Sequence, residues 1–314
     1  MTAALKRFPT VLMGACFLLL MPVLKMQRTT DFIIFCIFVL SYDLLYGFMG
    51  RLSFGHMLFL GAGAYGIMLF TEHVSTNPFL ALAFAVAASA ALGAIIGPVI
   101  VRTTGAAFAL INLAFNQVGY FLVLIAFAKY TGGEDGQSAT FRTIGFFNLQ
   151  NRKIMFGFSL LVLLLVFALL RRLTSSPFGI LLRMIKENET RAQFLGYNTF
   201  RYKWTAFMIS AAVAGLSGAL SIMNYGYATP SFIDPTRNVE VIFAVLIGGA
   251  GTLYGAVIGG VVFMAISNYL ATYISRWELF LGVGLLVLVF RFRTGIWGAL
   301  LRLLQPAGPA KETR

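Results

Sequence analysis

Apolar runs long enough to cross a bilayer recur along this chain, and they leave little between them from which anything else could fold. A spanning helix needs about 20 mostly apolar residues. About ten such runs can be marked, at approximately 9–24, 30–49, 54–71, 79–101, 105–128, 154–170, 204–226, 238–250, 254–272 and 277–291. A chain in lipid must satisfy its backbone hydrogen bonds within each segment, so the expected fold class is all-α, a polytopic transmembrane bundle of about ten helices. No polar block is long enough to form a separate unit, and residues 1–314 read as one transmembrane domain. Composition agrees: 59% of residues are hydrophobic, 11% are charged, and the mean hydropathy is +0.84, which excludes a soluble globular protein.

The formal net charge is +13. In a soluble protein that would suggest nucleic acid; here it follows from lysine and arginine at helix ends, and no nucleic-acid partner is expected. With 171–203 and both termini on the cytoplasmic side, that side holds 16 of the basic residues against 8 on the other. This is the positive-inside bias expected of a multi-pass membrane protein, although Lys25 and Arg28 run against it. Lys6 and Arg7 precede an apolar run to Leu24, but no small-residue cleavage site follows, so an uncleaved first span is expected. Cys16 and Cys36 lie in apolar runs and read as packing residues.

The one long polar interruption is Ser175 to Gly196, within a polar segment at about 175–203. Ser176-Pro177 supplies a cap and a first-turn proline, and Phe178, Leu181, Leu182 and Ile185 recur at helical spacing. Glu187-Asn188-Glu189 breaks that stripe, Asn188 can cap a second short helix, and Gly196 suits its left-handed terminus. A helix of about two turns needs a partner surface. Two readings stand: a linker at the lipid headgroups, or a docking element. The loops 129–153 and 228–237 fall on the opposite side, with turn residues and mixed charge.

Within the apolar runs, Gly47-Phe-Met-Gly-Arg-Leu-Ser-Phe-Gly-His56 marks a break, and broken backbone at membrane depth is tolerated where protein or a water-filled cavity satisfies it. Ser53, Gly55 and His56 are therefore candidates for a translocation path. Asp43 joins them as an ionisable residue inside a span, with helix packing or a pairing with Arg51 as its alternatives. Asn112, Asn116 and Gln117 join them as polar residues in the fifth span, Asn112 and Asn116 on one face. Gly61 and Gly63 fall in a formal G-x-G-x-x-G, but no βαβ context accompanies it. Like Gly215, four residues after Ala211, and Gly251, Gly255 and Gly259, they read as close helix-packing positions. His56 and His73 are the only histidines, far apart in sequence, so no metal site is expected. No phosphate-binding loop, nucleophile elbow or metalloprotease motif occurs, so the chain is read as a non-enzyme that binds no cofactor of its own.

Taken together, Gly50-Arg-Leu-Ser-Phe-Gly-His56 through Tyr65, Asn112-Leu-Ala-Phe-Asn-Gln117, Thr131-Gly-Gly-Glu-Asp-Gly136, Ser176-Pro-Phe-Gly179 with Arg183 to Glu189, Lys203 to Leu220, and Ile247-Gly-Gly-Ala-Gly-Thr-Leu-Tyr-Gly255 resemble the membrane permease subunit of branched-chain amino acid ABC importers. The resemblance runs in order from about 40 to 295. It implies a fold closer to the ribose and vitamin B12 importers than to the maltose importer, and import of a branched-chain or related hydrophobic amino acid. It also implies a second, related permease subunit, two cytoplasmic ATP-binding subunits that use ATP and Mg, and a periplasmic substrate-binding protein. The 175–203 segment then corresponds to the ATPase-coupling segment, with Arg183, Lys186, Glu187, Asn188, Glu189, Arg191, Ala192 and Gly196 as its candidate residues. It departs from the general importer signature E-A-A-x-x-x-G, since Thr190 and Arg191 stand in the first two positions. The alternatives are the same machine carrying urea or short amides, and an ion-coupled secondary transporter working through Asp43 and His56.

Overall fold

A computed structural model describes residues 26–143, 151–273 and 295–304, with further positions at 17, 149, 279 and 282–284. The expected spans 9–24 and 277–291 lie almost wholly outside the described residues.

The described residues are mostly helical: α1 Met26–Asp43, α2 Met57–His73, α3 Pro78–Ile100, α4 Gly105–Phe121, α5 Ala128–Thr131, α6 Arg152–Ser175, α7 Pro177–Glu187, α8 Glu189–Phe194, α9 Thr199–Tyr225, α10 Asn238–Gly248, α11 Leu253–Tyr273 and α12 Gly295–Leu304. α1 and α4 each continue in a π turn, Leu44–Phe48 and Leu122–Ala126. A two-residue antiparallel pairing of β1 (Gln137–Ser138) with β2 (Tyr227–Ala228) ties two loops together. Local signals explain the sharpest boundaries. Asn77 accepts from the Phe79 and Leu80 amides with Pro78 in the first turn of α3, and Asn151 caps α6 through the Lys153 amide.

Among the described residues, six helices are long and apolar enough to cross a membrane, at 26–48, 78–100, 105–126, 152–175, 199–225 and 253–273. Two expected spans come out shorter than a full crossing. α2 has 17 residues, and α10, expected over 238–250, has 11 and so reaches only about 16 Å against a hydrocarbon core of about 30 Å. The apolar run there is real, but Gly249 and Gly251, both with positive φ, turn the chain into α11 halfway.

The centre of the bundle is α1 and α9, in which 83% and 72% of the most apolar stretch is buried, whereas 28% is buried in α3 and 22% in α4. α9 packs on α1, α2 and α3, and α1 also packs on α6 and α11. Lipid is as apolar as leucine, so this centre is held by close packing and interhelical hydrogen bonds rather than by exclusion of water. Ser210 Oγ donates to the Ser41 carbonyl at 2.6 Å, Ser217 Oγ to Ile34 at 2.8 Å, and Ser89 Oγ bridges to Phe59 at 2.9 Å and Ala211 at 2.8 Å.

α1 and α9 are antiparallel, since Asp31 meets Asn224 while Arg51 meets Glu189 and Lys203 joins it there. We call the end that carries α7 and α8 the lower end and the opposite one the upper. Each central helix is followed by an irregular segment, 49–56 or 226–237, and then by a short helix, α2 or α10. Two oppositely directed helices, each followed by a break, are what an inverted pair of repeats contains.

Candidate functional site

Two regions carry the polar chemistry, one at the lower end and one running upward from the break after α1.

At the lower end, α7 begins at Pro177 behind Ser176, and its buried stripe of Leu181 and Ile185 packs with Ala192 of α8. Asn188 caps α8 by accepting from the Arg191 amide at 2.9 Å, and Gly196 adopts φ +85 just beyond it, so the two-helix reading of this segment is what the structure contains. The segment is held from above by three side chains. Glu189 accepts from Arg51 Nη2 at 2.6 Å, from Lys203 Nζ at 2.5 Å and from Thr199 Oγ1 at 3.2 Å. Lys186 Nζ donates to the Gly47 carbonyl at 2.8 Å, and the Arg183 guanidinium lies 5.0 Å from the Phe48 ring centroid. Gly50, at φ +73, passes so close to Lys186 that a Cβ there would meet its side chain. A cleft of about 470 Å³ lies between α7–α8 and the break, lined by Arg51, Lys186, Glu189 and Gln193 among others. Glu187, Arg191, Phe194 and Leu195 point outward, Phe194 at 87% exposure.

Partial burial works to raise the Glu189 pKa, but the Lys203 hydrogen bond and charge, the Arg51 charge and the Thr199 hydrogen bond outweigh it and hold the carboxyl below its ordinary 4.5. Its contribution to stability is therefore present above that value and lost as pH falls from about 4.5 through the lower folded value. Accordingly, the difference in thermal midpoint between the unaltered protein and Glu189→Gln is expected to hold steady near neutral pH. It should close as the pH is taken below about 4.5; a gap that persists unchanged in acid would count against this ion-pair account.

The lower anchor continues into the bundle. Gly47 abuts Gly251, and Asp43 Oδ1 accepts from the Gly251 amide at 2.7 Å. One turn of π helix thus joins the α7 lysine to the α10–α11 reversal.

Above it, the backbone of the break is satisfied piece by piece. The Arg51 amide donates to Leu45 at 3.0 Å, the Ser53 amide to Tyr42 Oη at 3.2 Å, the Gly55 amide to Ser53 Oγ at 3.3 Å and the Met57 amide to Asn238 Oδ1 at 2.9 Å. Gly55 lies directly on the Asn112 carbonyl. His56 Nε2 is 2.8 Å from Ser41 Oγ, and its ring sits among Phe38, Tyr42 and Phe59. Asp43 and His56 each keep one buried atom, Oδ2 and Nδ1, without a protein partner.

Asn238 completes the upper part. It donates through Nδ2 to Asn116 Oδ1 at 2.7 Å and to the Pro235 carbonyl at 2.9 Å, while Asn116 donates to Ile233 at 2.8 Å. The starts of α2 and α10 are therefore stitched to each other and to α4. Asn112 instead bonds within α4, to Phe108 at 2.8 Å, and Gln117 is half-buried. Asn238→Ala would strand the Met57 amide and Asn116 Oδ1 in a dry interior, and is expected to destabilise the protein by about 2–3 kcal/mol. A thermal midpoint unmoved by that substitution would show the network to be dispensable.

The glycines single out two close approaches. Gly63 of α2 lies against Gly215 of α9, and Gly259 of α11 against Ala244 of α10; Gly61 faces Ile233, and Gly255 lies beside Gly248 and Thr252.

A second cavity, also of about 470 Å³, opens at the upper end between α1, α9, α11 and the 226–237 segment. Asp31, Arg237 and Glu240 line it along with aromatic and apolar side chains. Neither Asp43 nor His56 lines it, and Phe38, which does, stands between it and His56 with ring centroids 5.3 Å apart. Asn238, Asp31 and Arg237 are not among the sequence-derived site residues.

Broken helices stitched by side-chain amides around a buried centre, with a polar segment docked under the break, define an integral membrane protein of permease type. The chain belongs to the family described as the permease component of the branched-chain amino acid transport system, whose profile matches residues 26–290. Among curated relatives, the high-affinity branched-chain amino acid transport system permease protein LivM of Escherichia coli (strain K12) is 28% identical over 284 residues, covering 83% of this chain and 66% of its own. BraD of Pseudomonas aeruginosa, also named a high-affinity branched-chain amino acid transport system permease protein, is 30% identical over 137 residues, 43% of this chain and 44% of its own. LivH of Methanocaldococcus jannaschii, a probable permease protein of the same kind, is 32% identical over 122 residues, 38% and 37%. The chain thus spans just under two-thirds of the length of LivM. No solved structure was found to match it.

Proposed function

We propose that this chain is the transmembrane permease subunit of an ATP-driven importer that moves branched-chain or related hydrophobic amino acids across a bacterial inner membrane, its lower end in the cytoplasm. ATP and Mg are used in two partner ATP-binding subunits, a second related permease completes the path, and a periplasmic binding protein delivers substrate at the upper end. The observation that carries this reading is the mounting of α7–α8. Its inner face is clamped to the break after α1 through Glu189 and Lys186, while Phe194 and Leu195 stand exposed beneath it. A lever needs one face fixed to what must move and one face free for what moves it. The family membership and the names of the relatives supply the cargo class.

The test is co-purification followed by reconstitution. The complex is expected to retain ATP-binding subunits and to accumulate radiolabelled leucine in proteoliposomes only when ATP is supplied. Failure to associate with any such subunit, together with uptake indifferent to ATP, would sink the reading; uptake that collapses with an ionophore instead would favour ion coupling.

A further inference from the structure

The upper cavity has a chemistry that the coupling segment does not explain. It combines one carboxylate that lacks a counter-ion with a neutralised ion pair and an apolar floor. Arg237 and Glu240 face each other through two hydrogen bonds, Nε to Oε1 at 2.9 Å and Nη2 to Oε2 at 3.2 Å, so that pair carries no net charge. Asp31 has no such partner among the described residues. It accepts hydrogen bonds from Asn224 Nδ2 at 2.8 Å and from the Tyr225 hydroxyl, which orient the carboxylate but supply no positive charge. The cavity therefore holds one uncompensated negative charge at the rim, and below it the floor is Ile34, Phe35, Phe38 and Leu60.

We propose that this cavity is a binding site for an apolar amino acid in its zwitterionic form, with the ligand's ammonium group on Asp31 and its side chain on the Phe35–Phe38 floor. This inference rests on the importer reading and assigns it a site in this subunit. An ammonium is the cation that fits: it replaces the missing counter-ion, donates to a carboxylate already oriented by Asn224, and gains from neighbouring aromatic faces. The ligand's carboxylate is met by Arg237. Its bonds to Glu240 and its Nη1 bond to the Ser231 carbonyl at 3.2 Å leave further guanidinium N–H groups without a described acceptor. The volume lies in the range of small-molecule sites, about 300–1,000 Å³, that pair an apolar wall with a few placed polar groups. Below it, the Phe38, His56 and Phe59 rings follow one another in tilted and edge-on contact, at 5.3 and 5.8 Å between centroids, so the apolar floor is backed by packed aromatic rings.

The test uses the full-length chain in lipid nanodiscs with whatever subunits co-purify, and three probes: L-leucine, 3-methylbutylamine, which lacks the carboxylate, and 4-methylpentanoate, which lacks the ammonium. Leucine is expected to raise the thermal midpoint in a saturable manner, the amine to do so more weakly, and the acid not at all. Asp31→Asn keeps the acceptor for Asn224 but removes the charge, and is expected to weaken leucine binding about tenfold; Asp31→Glu should recover part of it. Midpoint and yield of ligand-free Asp31→Asn report whether it folds, and Ser221→Phe, which places a bulky side chain in the cavity and leaves Asp31 itself unchanged, is expected to give a second loss of leucine binding. Equal leucine affinity in Asp31→Asn and the unaltered protein would overturn the proposal, as would the acid binding as well as leucine, or no leucine-dependent shift at all. ATP-driven leucine uptake is measured on the same complex reconstituted into proteoliposomes: if it persists without a binding signal, the site is wrong and the importer reading stands, and if it is absent, the importer reading itself fails.

Discussion

Glu189→Gln is expected to cut ATP-driven uptake about tenfold or more relative to ATP hydrolysis, with the protein still inserted and folded. One carboxylate joins α8 to Arg51 on the glycine break and to Lys203 at the start of α9, so the attachment of α8 to both elements depends on it. A charge-assisted hydrogen bond contributes about 1.5–3 kcal/mol when buried. The Glu189 side chain is 21% exposed, so solvent screening brings the pair of contacts to about 2 kcal/mol in total. That exceeds the 1.4 kcal/mol that corresponds to a factor of ten. Glutamine keeps the shape, removes the charge, and leaves the two cations facing a neutral amide and each other. The fold survives because α8 retains its Asn188 cap and its Ala192 packing against Leu181 and Ile185. The consequence is local: α8 comes loose from the break while still presenting Phe194 below. Amide hydrogen exchange over 189–194 should accelerate in step with the fall in the uptake-to-hydrolysis ratio. A variant with the normal ratio and normal protection would reduce α7–α8 to a linker at the headgroups.

What could be read from sequence was what depends on neighbours along the chain. Pro177, Asn188 and Gly196 are local signals, and the two short helices lie where those residues put them, although the Ser176 hydroxyl donates back to the Leu173 carbonyl at 2.6 Å and does not cap α7. Asp43 stood out because a carboxylate in an apolar run is costly wherever its partner is. Its acceptor role toward the Gly251 amide, 208 positions away, carries no local mark. The same holds for Arg51, whose partner Glu189 is 138 positions distant. Asn238 was missed because, at the edge of an apolar run beside Pro235, it has the appearance of a turn residue. Only the fold reveals that its amide closes the starts of two helices. Asp31 and Arg237 sit at helix ends where charged residues usually meet headgroups, and sequence offers no way to tell a headgroup from a cavity. The length of α10 was misjudged for a related reason. Hydropathy measures how apolar a stretch is, and a half-helix packed inside protein is as apolar as one that crosses lipid.

Gly63→Val should be strongly destabilising. At Gly63 a side chain would begin where the Gly215 carbonyl oxygen already sits, and on the far side Gly215 is pressed against Ser89, whose hydroxyl holds the Phe59 and Ala211 carbonyls. Three helices, α2, α3 and α9, therefore converge on a point with no room for a methyl group. The obstruction is backbone, so no rotamer change can relieve it, and the helices must separate. Separation forfeits dispersion contacts and stretches the Ser89 bridges. In lipid nothing returns the loss, because apolar surface gains little from being buried against other helices rather than against acyl chains. Overpacking in ordinary cores costs about 1–3 kcal/mol; with both partners backbone, the upper end applies, and the thermal midpoint in detergent should fall by about 5 °C or more. Gly157→Val is the matched control, the same change in a helix interior at an exposed position of α6, where a Cβ would meet nothing within 4 Å. It carries the β-branched side chain without the collision and should leave the midpoint nearly unmoved. If both variants fall equally, the loss belongs to glycine chemistry in helices generally, and the Gly63–Gly215 approach is not what holds α2 to α9.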